Sequence, residues 1–474
     1  MKGVTFQDLL DATGARQVAG APRALFQGIS TDTRTLTGEE LFVSLSGPNF
    51  DGDGFAAGAL QAGATGALVR KARGALLTGA APVAEHPDPR RALGDLARWY
   101  RSRWMSFDGA RDRAVVGITG SCGKTSTKEI LIQLLGACCE AYGSPASFNN
   151  DIGVPLTLLR TPENADVCVV EMGTNAPGEI ANLCRIAQPN GAIITNIGDS
   201  HLAGLGSTQG VAAEKEALVT GLSSHHFCVL NADCAFTPRL KARTAARILT
   251  FGLNGDALVC ARDLHFENGS TQFVLEAPGL ARPVQVTAPF LGAHMVQNLL
   301  AALAAVHGLG YSIEAVLPNV ARLRGAQGRM QMHRVGGLTL VDDSYNANPL
   351  SASAGVAQLA GMLGYGRRVM VLGDMLELGE RCDSSHRDLG RQVAQAGIDV
   401  LVAVGQHADL VLSGASEQSA AGPTLMSWCD AEGCMRELPA LLQDGDLVFV
   451  KGSRAIGLDR LVDQLLRDWG AQPA

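Results

Sequence analysis

The run Ala114-Val115-Val116-Gly117-Ile118-Thr119 passes directly into Gly120-Ser121-Cys122-Gly123, then into Lys124-Thr125-Ser126-Thr127 and the amphipathic stretch Lys128 to Leu135. An apolar strand, a glycine-rich turn and a helix start in that order are the layout of a phosphate-binding loop; the plain alternative is a glycine-rich strand-to-helix turn. Gly120 and Gly123 let the backbone bend so that N–H groups of the turn, Thr119 to Ser126, face an anion, and the helix adds its positive end. Lys124 is placed to reach the outer phosphates of a nucleotide, and the Thr125 hydroxyl to ligate Mg²⁺. The general pattern has a glycine five positions before Gly123, where this chain has Ile118. The segment instead fits the narrower T-G-x-x-G-K-T, from Thr119 to Thr125.

A strand feeding such a helix implies an open α/β sheet, and the rest of the chain repeats the unit. Apolar, β-branched runs end in turn signals at Val167–Glu171, Gly191–Asn196 and Phe227–Asn231, and again at Leu338–Asp342, Arg368–Asp374, Val400–Gly405 and Leu447–Gly452. Near-continuous apolar strands separated by helical stretches indicate parallel sheets covered on both faces. At 474 residues the length fits about three domains of roughly 150 residues. The expected divisions are 1–108, 109–319 and 320–474, with Leu317-Pro318-Asn319 as the second joint.

Composition narrows the function classes. A net charge of −7 without a dense basic patch argues against nucleic acid as a main ligand. The eleven cysteines include no C-x-x-C, and Cys138 and Cys139 are adjacent, which suits buried free thiols in a reducing compartment. The segment from Met1 to Asp8 lacks the apolar core of a signal peptide, and no charge-free run reaches the roughly 20 residues of a membrane helix. A cytoplasmic protein with no membrane span is expected.

In an open α/β sheet, ligands gather at the carboxyl ends of strands. Glu171 ends one strand and can hold Mg²⁺ opposite Thr125, or be a strand-end charge. His201, in Asp199-Ser200-His201, can be a ligand or an orienting group. Lys215, beside Glu216 on a helix, reads by default as a solvated position. Asp342-Asp343-Ser344-Tyr345-Asn346-Ala347-Asn348-Pro349 gathers more polar groups at a strand end than turn capping requires, and Gly328-Arg329-Met330 precedes it.

In this order the motifs resemble the Mur ligases, ATP-dependent amide-forming enzymes of peptidoglycan precursor synthesis, over nearly the full length. Asn149-Asn150-Asp151-Ile152-Gly153-Val154-Pro155, Thr195-Asn196-Ile197-Gly198, the Asp342–Pro349 block and Gly373-Asp374-Met375-Leu376-Glu377-Leu378-Gly379 are most similar to the branch that adds D-alanyl-D-alanine to UDP-N-acetylmuramoyl-tripeptide. The resemblance implies a central ATPase domain between an N-terminal UDP-substrate domain and a C-terminal Rossmann-like domain. It assigns Lys124 and Thr125 to ATP and Mg²⁺, and Glu171 and His201 to metal binding. Lys215 falls where the family carries a carbamylated lysine near a second Mg²⁺. Asn298, with His294 nearby, falls at the adenine contact, and Arg329 where a C-terminal arginine reaches the ATP phosphates. Asn149, Asn150, Asp343, Tyr345, Asn346 and Asn348 are expected where nucleotide and substrates meet. Ser30, Thr33, Arg34 and Ser46 match segments that bind the UDP-sugar.

The implied chemistry is phosphorylation of the tripeptide carboxylate by ATP, followed by attack of the D-alanyl-D-alanine amine on the acyl phosphate, in a monomer. The third residue of the tripeptide is left open between diaminopimelate and lysine. Three positions depart from the family pattern: Met295 replaces the first Asn of G-x-H-N-x-x-N, Asp occupies a usual His position in Asp51-Gly52-Asp53, and Cys122 replaces Asn or Ser and adds an alkylatable thiol. The rival readings are a sibling Mur ligase adding one amino acid, which the Asp342–Pro349 block disfavours, and a folylpolyglutamate-type ligase, which lacks so long a segment before the loop. A phosphate-loop switch or scaffold, from a different class, needs no second-substrate pocket.

Overall fold

A computed structural model describes residues 3–21, 23–47, 50–74, 77, 81–107, 112–267, 269–417 and 422–470. Beside the two-stranded antiparallel pair Val4–Thr5 and Leu25–Phe26, three larger sheets organise the described residues. In the first, Arg16–Ala19, Val83–His86, Gly66–Arg70, Glu40–Val43 and Gly28–Ser30 lie in that order; only the Arg16–Ala19 edge is antiparallel. In the third, Gln331–Val335 forms an antiparallel edge on the parallel strands Leu338–Asp343, Leu447–Lys451, Arg368–Gly373, Val400–Val404 and Thr424–Trp428.

The central sheet has nine strands and is mixed. Seven, from Val259–Glu267 through Arg247–Gly252, Phe227–Asn231, Gly191–Ile194, Ala114–Thr119 and Val167–Glu171 to Ala141–Gly143, run parallel. Ser270–Glu276 and Val284–Ala288 extend it antiparallel, which the expectation of parallel sheets did not include. Their signal is period two: Thr271, Phe273 and Leu275 are buried while Gln272 and Val274 are half-buried, the pattern of a strand covered on one face.

The three sheets do not have insulated cores. Phe6, Leu9 and Phe26 of the first unit join one apolar cluster with Val115, Cys168 and Leu183 of the second. The bridge is the helix Pro89–Ser106, capped by Asp88, which accepts the Arg91 N–H at 3.1 Å, and started by Pro89. It packs on the helices Gly153–Arg160 and Glu179–Ala187. A second cluster runs from Leu131 of the phosphate-loop helix through Leu299 and Leu300 to Val341, Met370 and Phe449.

The expected first boundary, after residue 108, lies outside the described residues. At the second, Pro318 sits inside the helix Ile313–Val320, which packs on the phosphate-loop helix and on Val284–Ala288. Pro318 stands two residues before the carboxyl end of this eight-residue helix, where its missing N–H forfeits one intrahelical hydrogen bond, and Leu317-Pro318-Asn319 closes the central unit. The thiols are all free, but only Cys168, Cys228, Cys260 and Cys434 are buried, while Cys138 and Cys429 are exposed. Among the described residues no helix is long and apolar enough to cross a membrane.

Candidate active site

The strand Ala114–Thr119 lies between Val167–Glu171 and Gly191–Ile194, so successive connections leave it on opposite sides and open a crevice at its carboxyl end. Two glycines shape the turn there. Gly120 has φ +154°, and a Cβ on it would stand 1.9 Å from the Thr195 hydroxyl; Gly123 has φ +80°, and its Cβ would stand 2.3 Å from Asn298 Oδ1. Neither position admits a side chain. The turn is braced from the next strand end: the Thr195 hydroxyl donates to the Cys122 carbonyl at 2.5 Å, Asn196 Oδ1 accepts the Cys122 N–H at 2.9 Å, and Ser121 exchanges hydrogen bonds with Gly198. Thr119 is buried and donates to the Met172 carbonyl. Ser126 is buried in the first turn of the helix Lys124–Leu135.

Lys124 folds back to donate to the Gly120 carbonyl at 2.8 Å, and burial pushes its pKa down against the opposing pull of Glu171. The Thr125 hydroxyl donates to Glu171 Oε2 at 2.8 Å, while Asn149 Nδ2 donates to Oε1 at 2.9 Å. The sheet register sets this meeting, since Glu171 pairs with Ile118 just before the loop. His201, left-handed at φ +53°, lines the same cleft and places Nδ1 2.6 Å from Glu377 Oε2. Burial and the Lys124 charge lower the His201 pKa.

Lys215 departs most from its default reading. It is 0% exposed on the helix Thr208–Thr220, and its Nζ is buried with no hydrogen-bond partner. Desolvation, reinforced by Lys124, brings its pKa down to about 7. Glu216 does not mark a solvated face either: it is buried and binds Arg239 at 2.6 Å and Arg243 at 2.8 Å.

The opposite wall comes from the third unit. Arg329 donates to the Thr125 hydroxyl at 3.1 Å and lies 4.2 Å over the Tyr345 ring, a cation–π contact that fixes the guanidinium plane. The Tyr345 hydroxyl donates to Ser147 at 2.7 Å. Asn348 caps the helix Pro349–Gly361 through the Ser351 N–H, donates to the Ser121 carbonyl at 3.2 Å, and accepts from the Cys122 thiol at 3.2 Å. Asp343 faces Lys451 in strand register and binds its Nζ at 2.5 Å; that amine also donates to the Asn346 carbonyl.

These walls enclose a cavity of about 800 Å³ lined by residues 121–126, Asn149, Asn150, Glu171, His201, His294, Asn298, Arg329, Asp343, Tyr345, Asn346 and Asn348. Burial lowers the His294 pKa. Met295 points its sulfur at Asn298 Nδ2, 3.5 Å away, so the residue that departs from the pattern still touches the asparagine that keeps it. Lys215 is not among the residues that line the cavity. Ser30, Thr33, Arg34 and Ser46 are not among its lining residues. There, Ser30 donates to the Asp32 carbonyl, Arg34 pairs with Asp32, and Ser46 donates to Asp51. Asp53 holds Ser44 and Arg70, so this departure serves as an internal anchor.

Among the described residues no three His, Cys, Asp or Glu side chains form a ready metal cage. Thr125, Glu171 and His201 offer one hydroxyl, one carboxylate and one imidazole. That sparse set suits Mg²⁺, which keeps water and phosphate oxygens in its shell.

A family model described as Mur ligase middle domain matches residues 118–306, and one described as Mur ligase, glutamate ligase domain, matches residues 328–454. UDP-N-acetylmuramoyl-tripeptide–D-alanyl-D-alanine ligase of Escherichia coli is 34% identical over 98% of this chain and 99% of its own. The chain belongs to the Mur ligase family. A crystal structure of MurF from Acinetobacter baumannii superposes with a TM-score of 0.87 at 30% identity, covering 98% of each chain. MurF of Thermotoga maritima in complex with ADP gives 0.80 at 26% identity, over 93% of this chain and 97% of its own. The three α/β units are therefore the Mur ligase fold.

Several groups that hold this Mur ligase cavity together are hard to single out in the sequence. Lys451 and Ser147 gave only a weak signal, a polar residue at a strand end and a serine in a loop. Glu377 lay in a block noted for its resemblance without a role, and its partner His201 is 176 positions away.

Proposed function

We propose that this Mur ligase joins D-alanyl-D-alanine to UDP-N-acetylmuramoyl-tripeptide at the expense of ATP, forming the pentapeptide precursor of peptidoglycan. The supporting observation is the single cleft in which the phosphate loop and the Thr125–Glu171 pair face Arg329, Tyr345 and Asn348. Relatives named for this reaction match almost the entire chain. A tripeptide carboxylate oxygen attacks the γ-phosphorus of ATP and ADP departs. The dipeptide amine then attacks the acyl carbon, and phosphate leaves with that carboxylate oxygen as the amide forms.

Two anions must meet in the first step, so the protein's contribution is alignment and charge neutralisation. Lys124 and Arg329 supply fixed positive charge at the loop. Thr125 and Glu171 would hold one Mg²⁺, with His201 and a carbamylated Lys215 serving a second; bound Mg²⁺ would offset phosphate charge. The Lys215 amine, buried, unpartnered and with a pKa of about 7, is neutral often enough to attack CO₂, losing a proton and gaining a carboxylate. His294 and Asn298 serve the adenine end. Ser30, Thr33, Arg34 and Ser46 serve the UDP end, within an N-terminal substrate unit. On this reading the enzyme acts as a monomer in the cytoplasm, where the precursor chemistry serves cell-wall growth and division.

Phosphate release measured with each substrate omitted in turn tests the reading. Turnover that needs both the tripeptide nucleotide and D-alanyl-D-alanine is expected. Equal turnover with single amino acids, or release without any acceptor, would overturn it.

A further inference from the structure

The wall of the cleft continues from the phosphate loop toward the first unit through bonded neighbours. Thr125 binds Glu171, Glu171 binds Asn149, and two residues on, Asp151 forms an ion pair with Arg90 at the start of the helix Pro89–Ser106. The Arg90 and Asp151 side chains are 47% and 35% exposed, and both line the main cavity. Both also line an adjoining cleft of about 580 Å³, whose described lining carries four arginines and three aspartates, among them Arg185 and Asp95. The pair therefore stands between the place where a carboxylate is activated and a pocket of mixed charge. Two residues span at most roughly 7 Å, within the reach of a four-carbon side chain.

We infer that Arg90 and Asp151 select a tripeptide whose third residue is diaminopimelate rather than lysine. The inference rests on the ligase reading above. The diaminopimelate side chain ends in a second centre bearing both a carboxylate and an ammonium. Arg90 receives the carboxylate in a two-pronged hydrogen bond, and Asp151 receives the ammonium. A half-exposed ion pair contributes little in itself, so exchanging partners costs little. A lysine side chain brings an ammonium alone; it satisfies Asp151 but leaves Arg90 unpaired beside a like charge. Discrimination then comes from the rejected substrate as much as from the accepted one. A subsite built for lysine needs an excess of acid, whereas this cleft has more arginine than aspartate.

The test compares kcat/KM for UDP-N-acetylmuramoyl-tripeptides ending in diaminopimelate and in lysine, with D-alanyl-D-alanine and ATP saturating. Wild type is expected to prefer diaminopimelate by about tenfold or more. Arg90→Ala is expected to bring the ratio close to one, mainly by loss on the diaminopimelate substrate, and Arg90→Lys to restore part of the preference. The ratio is internal to each protein preparation, so partial misfolding does not mimic the effect, and the wild-type comparison stands if a variant fails to fold. Equal use of both substrates by wild type, or an unchanged ratio in a soluble Arg90→Ala, would overturn the inference while leaving the ligase reading intact. No turnover with either substrate would instead remove the ligase reading and this inference with it.

Discussion

Lys215 carries the clearest cost at a single position. A buried, unpartnered ammonium costs several kcal/mol, and the chain relieves it by holding the amine near a pKa of about 7 against an ordinary 10.5. The folded state thus binds fewer protons than the unfolded state between about pH 7 and 10.5, so this group makes stability rise with pH across that window. Lys215→Met is expected to raise Tm near pH 7 relative to CO₂-depleted wild type while abolishing most turnover, a trade seen where a site keeps a destabilising group for function. Thermal melting and phosphate release on the same samples check both halves; a variant that kept full turnover would remove the carbamate role. Restoring bicarbonate to CO₂-depleted wild type is expected to recover activity, and to do nothing for the variant. At this scale the sequence was only partly legible. Lys215 on its own residues read as solvated, because burial from every side depends on partners far along the chain. Gly120 and Gly123 were legible because the need for positive φ is local.

Among elements, the phosphate-loop strand, its helix and the strand end at Glu171 were readable from apolar runs and the residues that stop them. The antiparallel strands Ser270–Glu276 and Val284–Ala288 were not, because their alternation sits in short segments beside turns, and the expected α/β pattern masked it. The segment from Asp343 to Asn348 shows how one element end serves two units. Asn348 caps its own helix and also reaches the Ser121 carbonyl and the Cys122 thiol across the cleft. Loss of the cap costs about 1 kcal/mol, a shift of a few degrees in Tm. Asn348→Ala is therefore expected to melt slightly lower but to raise the KM for ATP well beyond what that stability loss explains. Asn348→Asp keeps the capping oxygen but replaces the donor to Ser121 with a charged carboxylate oxygen, so it is expected to restore Tm without restoring KM. Equal recovery of both would mean that the residue acts through the helix alone.

For the whole molecule, the third unit docks on the second through pairs that no local pattern reveals. His201 meets Glu377, Asp199 meets Arg381, and Arg329 meets Thr125. The double variant Glu377→Ala/Arg381→Ala is expected to enlarge the radius of gyration in small-angle scattering, with an ATP analogue and the tripeptide nucleotide reversing the change. An unchanged radius would show that the apolar cluster shared by these units holds the arrangement alone. The three-unit α/β architecture was legible from strand spacing, whereas the contact between units depends on residues such as Asp199 and Arg381, 182 positions apart. What that contact provides is a cleft in which a carboxylate is activated by phosphate transfer, and the fate of the carboxylate oxygen tests this most directly. With the terminal carboxylate of the tripeptide labelled with ¹⁸O, one turnover is predicted to leave one labelled oxygen in inorganic phosphate and one in the new amide. Label in AMP, or phosphate free of label, would contradict the account.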